Sequence, residues 1–82
     1  MSQANDFFAT FPTVGAFSRK YVLIEAPKSE EEARSVVNEA FGNRWAFLYT
    51  REEFQGQPER WDLQKLCTFR LNQNGYWRAH ID

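Results

Sequence analysis

The chain has 82 residues, of which 21 are charged and 14 aromatic, and its net charge is −1. A single Cys and a single His exclude an internal disulfide and a four-ligand Cys/His zinc site. No apolar run approaches the roughly 18 residues of a membrane span, and the near-neutral charge gives no general field for nucleic acid.

In chain order, residues 1–20 read as an N-terminal arm. Phe7, Phe8, Phe11 and Phe17 are too apolar for a solvated tail, while Pro12 and Gly15 interrupt any long element. A packed arm is expected, with a short strand near 14–17. The opening residues have neither a basic nor an apolar leader pattern, so no secretory signal is expected. With one free thiol, Cys67, the expected compartment is reducing, a cytoplasm.

Residues 21–26, YVLIEA, form a short apolar run rich in β-branched and aromatic types, the pattern of a strand. A helix follows. Ser29 has capping-box spacing to Glu32, and Glu30, Glu31 and Glu32 stand at the positive end of the helix dipole. Those electrostatics account for the acidic run without a metal. Ala33, Val36, Val37, Ala40 and Phe41 fall on one helical stripe, and Gly42 is placed to end it. Glu30 and Arg34 are spaced to pair on the outer face.

A second strand is expected over 45–49, WAFLY. Strand, helix and strand in about 30 residues allow a parallel crossover. If the small-residue strand faces take the Ala- and Val-rich helix stripe, then Tyr21, Leu23, Trp45, Phe47 and Tyr49 lie on the opposite face. Three covers are open: the N-terminal arm, the 51–66 segment or a partner.

Residues 51–66 read as a connection. Thr50 and Glu53 have capping-box spacing for one turn ending at Phe54, and the Gly-Gln-Pro stretch at 56–58 breaks it. Segment 59–66, anchored by Trp61, Leu63 and Leu66, reads equally as a short helix or as extended chain.

Residues 67–82 form a hairpin. Cys67, Phe69 and Leu71 alternate with polar residues, as do Trp77, Ala79 and Ile81. A two-residue Asn-Gly loop would mix the faces. A three-residue loop with Gly75 left-handed pairs Leu71 with Trp77, Phe69 with Ala79 and Cys67 with Ile81, which sorts the apolar side chains onto one face. The expected whole is a single α+β domain: a small, mainly antiparallel sheet of three to four strands, one principal helix on one face, and this C-terminal hairpin.

Two candidate surfaces follow. The hairpin register puts Thr68, Arg70, Tyr76, Arg78 and His80 on one polar face, with Arg70 opposite Arg78. Opposed like charges favour a bound anion, so a nucleotide or other phosphate ligand is one reading; a solvated face with Arg paired to Glu25 or Glu59 is the other. The second surface is aromatic: Tyr21, Trp45, Phe47, Tyr49 and Trp61 are partner-binding candidates, because rings and Arg dominate interface hot spots. No nucleophile motif, P-loop or dinucleotide fingerprint occurs, and Cys67 and His80 fall on opposite strand faces. No enzyme, cofactor or metal site is expected.

The stretch 21–54 resembles small uncharacterised bacteriophage proteins. The shared features are a strand closing in E-A, an acidic helix start with E-E-A-R, and a G-x-x-W-A-F-x-Y strand leading into an acidic turn. That resemblance implies a small protein that engages and inhibits a host protein, such as an immune-defence component, or captures a nucleotide signal. A homodimer through the aromatic face is a further possibility, and a minor enzyme or nucleic-acid accessory role stands behind these.

Overall fold

The computed structural model describes residues 6–12, 15 and 17–81. Among the described residues, five strands form one sheet: β1 Phe7–Thr10, β2 Lys20–Ile24, β3 Phe47–Thr50, β4 Gln64–Leu71 and β5 Trp77–His80. Three helices accompany them: α1 Glu30–Phe41 and the short α2 Arg51–Phe54 and α3 Gln57–Trp61. The strand order is β3-β1-β2-β4-β5. All neighbouring strands are antiparallel except β2 and β4, which are parallel. The α+β class stands, but the sheet is mixed and has five strands rather than three to four.

The additional strand comes from the N-terminal arm. Phe7–Thr10 pairs with β2 on one side and β3 on the other. Strands β2 and β3 therefore run in the same direction, as a crossover requires, but β1 lies between them. The strand expected near 14–17 lies partly outside the described residues, and Phe17 falls in a turn closed by Lys20 N–H to Phe17 O at 3.1 Å.

Helix α1 forms as its sequence dictates. The Glu32 N–H donates to Ser29 Oγ at 3.1 Å, while the Glu32 carboxylate accepts from the Lys28 N–H at 2.6 Å. The reach-back thus lands one residue before the cap. Gly42, at φ +62°, donates to Asn38 O at 2.7 Å and ends the helix. Ala33, Val36 and Val37 press onto Ala9, Val22, Ile24, Cys67 and Phe69, the centre of the core. The small-residue strand faces do take the helix.

The opposite face is covered from within. Thr50 and Glu53 complete the capping box, which turns the chain back so that Phe54 lies over the sheet. Its ring stacks on Phe8 at 4.5 Å and meets Tyr21 at 5.0 Å and Tyr49 at 5.8 Å. The first turn of the 51–66 segment, α2, is therefore a cover of this face through Phe54, and not merely a connection. Within 59–66, the helix ends at Trp61 and extended chain resumes at Gln64. Strand β4 thus begins three residues before the hairpin start expected at Cys67.

In the hairpin, Leu71 pairs with Trp77, Phe69 with Ala79 and Arg70 with Arg78. Asn72 N–H donates to Tyr76 O at 2.8 Å and Gly75 N–H to Asn72 O at 3.1 Å, with Gly75 at φ +85°. This is the three-residue loop. Strand β5 ends at His80, so the expected Cys67–Ile81 pair lies beyond the ladder.

Candidate functional site

Pairing across the sheet sets out a row on the face away from α1: Tyr49, Phe8, Leu23, Thr68 and His80, one from each strand in sheet order. The rings continue outward through Tyr49 to Phe47 at 6.2 Å. Phe54 buries the inner part of this aromatic set, and Tyr21 and Tyr49 are half-buried beneath it. Phe47, at the edge of the sheet, remains 62% exposed.

Trp45 does not belong to this face. Strand β3 starts at Phe47, two residues after it, and Trp45 packs from the loop against the core under α1. Its indole N–H donates to Asn38 Oδ1 at 2.7 Å, and the Arg34 guanidinium lies 5.6 Å from its ring. Both partners are on α1, so Trp45 fastens helix to sheet. Trp61 is 58% exposed at the end of α3, with Arg60 beside its ring at 5.6 Å.

The polar hairpin face assembles only in part. Arg70 and Arg78 stand opposite each other, but Arg70 Nε donates to Glu25 Oε2 at 3.3 Å. That carboxylate offsets the like-charge cost. Arg78 and His80 are exposed, and neither takes part in a salt bridge or side-chain hydrogen bond among the described residues. Tyr76, just before the start of β5, is 70% exposed and lines a groove on the helix side. Thr68 is no surface ligand: it is 1% exposed, and its hydroxyl has no hydrogen-bond partner. Strand alternation places it on the correct face, between Leu23 of β2 and His80 of β5, but it is buried there.

An orphaned hydroxyl in such a position costs about 1–3 kcal/mol. Thr68→Val keeps the branched shape and removes the hydroxyl. It is expected to stabilise the fold by about 1–2 kcal/mol, a rise of roughly 4–8 °C in Tm per kcal/mol for a domain of this size. Urea and thermal melts measure it; a loss of stability would mean that the hydroxyl holds a bound water.

The groove of about 570 Å³ escaped sequence reasoning. Glu32, Ser35, Val36, Glu39 and Ala40 form its α1 wall, and Phe69, Gly75, Tyr76 and Trp77 its hairpin wall. It exists because α1 packs over the centre of the sheet and leaves the β5 side uncovered. The helix stripe and the hairpin faces were each readable, but their separation was not.

Comparison of the chain with protein-family models, with curated proteins and with solved structures gives no match. No helix among the described residues is long and apolar enough to cross a membrane.

Proposed function

We propose that this chain is a non-enzymatic binding protein that docks a protein partner on the exposed edge of its aromatic face. The observation that carries the reading is Phe47. It is largely exposed, yet it is held at the end of a ring series running through Tyr49 to the buried Phe54. Such a side chain enters an interface with little conformational entropy left to lose, which favours it as an anchor. Trp61, also exposed, is a second ring available to a partner. That the partner is a host protein, and that binding inhibits it, rests on the resemblance to small bacteriophage proteins.

The test uses the full chain as bait in bacterial lysate, beside a Phe47→Ala variant. Because Phe47 is exposed, this variant is expected to keep its stability within about 0.5 kcal/mol. One discrete protein retained by the wild type and lost by the folded variant supports the proposal. Equal retention by both baits, or none by either, overturns it. Light scattering across a concentration series addresses a second copy as occupant: a dimer abolished by Phe47→Ala would replace the hetero-partner.

A further inference from the structure

Strand β5 ends the sheet, and its outer edge carries no strand among the described residues. The Asn72 N–H to Tyr76 O bond sets the phase of the β4–β5 ladder. Alternation from that pair makes Arg70–Arg78 and Thr68–His80 the bonded pairs and leaves the N–H and C=O groups of Trp77 and Ala79 pointing away from β4. These are the groups to which another strand would bond.

The two faces beside this edge differ in charge. On the α1 side lies the groove, with Glu32 and Glu39 on one wall and Phe69, Tyr76 and Trp77 on the other, and no Lys or Arg lines it. On the opposite side stand Arg78 and His80. Residues paired directly across a ladder share a face. In a strand added to β5, side chains opposite Trp77 and Ala79 therefore enter the groove, and the intervening ones meet Arg78 and His80.

We propose that β5 accepts an extended peptide segment of alternating charge, with its basic side chains in the groove and its acidic ones over Arg78 and His80. A Lys or Arg in the groove gains a wall carboxylate, Glu39 being the one the helix start does not use, and the ring faces of Trp77 and Tyr76. Backbone bonds to Trp77 and Ala79 supply sequence-independent affinity, and the alternating charges supply the choice of partner. A second copy of this chain does not fit. Two-fold pairing of β5 with itself would set Arg78 and His80 of both copies side by side on one face, against like-charge repulsion. The proposal deepens the partner-binding reading by naming a second surface and the chemistry of its occupant, and it rests on that reading for the occupant being a polypeptide.

The probe is an eight-residue, end-capped peptide alternating Lys and Glu, titrated into the ¹⁵N-labelled full chain. The control peptide holds the same residues in two blocks. Saturable shifts at the Trp77 and Ala79 amides with a Kd of about 1 mM or tighter are expected, with the block peptide at least tenfold weaker. Glu39→Gln removes a groove charge that has no salt-bridge or hydrogen-bond partner among the described residues, and is expected to weaken binding about tenfold. Ala79→Pro removes the outward donor while leaving the β4 bonds, and is expected to abolish binding with the hairpin amide pattern intact. Absence of shifts, equal binding of both peptides, or a Glu39→Gln variant that binds like wild type overturns the proposal. A captured partner that depends on Phe47 but not on Glu39 or Ala79 would leave the partner-binding reading standing and this one refuted.

Discussion

Phe54→Ala is expected to cost about 3–5 kcal/mol, the usual range for emptying a buried phenylalanine site. The ring is 3% exposed and is the central cover of the sheet face away from α1. It stacks on Phe8 with the planes 10° apart and touches Tyr21 and Tyr49. Helix α2 is a single turn, too short to hold itself, so without the ring its capping box has nothing to anchor. Domains of this size have total stabilities of roughly 4–12 kcal/mol, so the loss takes a large share. Urea unfolding followed by Trp fluorescence measures it. A cost below about 1 kcal/mol would mean that the face needs no cover. Phe47→Ala, at the first residue of β3 and on the same face, serves as the exposed control.

Asp6→Ala is the second large effect, expected at about 2–4 kcal/mol. Asp6 is buried immediately before β1, and its two oxygens bind different parts of the chain. Oδ1 accepts from the Ala26 N–H at 2.9 Å, and Oδ2 pairs with the Arg51 guanidinium. Ala26 stands at φ +47°, a conformation that favours glycine, and the carboxylate holds this sharp exit from β2 in place. Arg51 is 62% exposed and also lies 5.5 Å from the Phe8 ring, so water screens its half of the arrangement. Most of the cost is therefore the unpaired Ala26 amide and the lost clamp between β1, β2 and α2. Asp6→Asn keeps an oxygen for Ala26 and is expected to recover about half of the loss. Equal destabilisation by Ala and Asn would assign the whole effect to Arg51 instead.

What was legible and what was not divides along sequence separation. The Ser29 and Thr50 caps, the Gly42 stop and the Gly75 loop each depend on groups within a few residues of one another, and each formed. The hairpin register followed from the apolar alternation because a slip of one residue would have exposed the whole set. Strand β1 was missed for the opposite reason. It is four residues long, and its partners in β2 and β3 lie 11 to 43 positions away, so no local pattern marks it beyond the density of Phe. Trp45 shows the limit of alternation: its parity matched Phe47 and Tyr49, but the strand begins after it, and Asn38 of the helix holds the indole.

The amino-acid order by itself determined the capped helix starts, the hairpin loop and the faces of the hairpin's apolar side chains, because capping, loop chirality and strand parity are short-range. Only the tertiary structure decided which faces are sealed. Phe54 closes over the aromatic side, Thr68 is buried between Leu23 and His80, and α1 sits off the hairpin to leave the groove. Burial is a property of what packs from a distance, and the separation between a helix and a strand edge is set by the whole sheet beneath them.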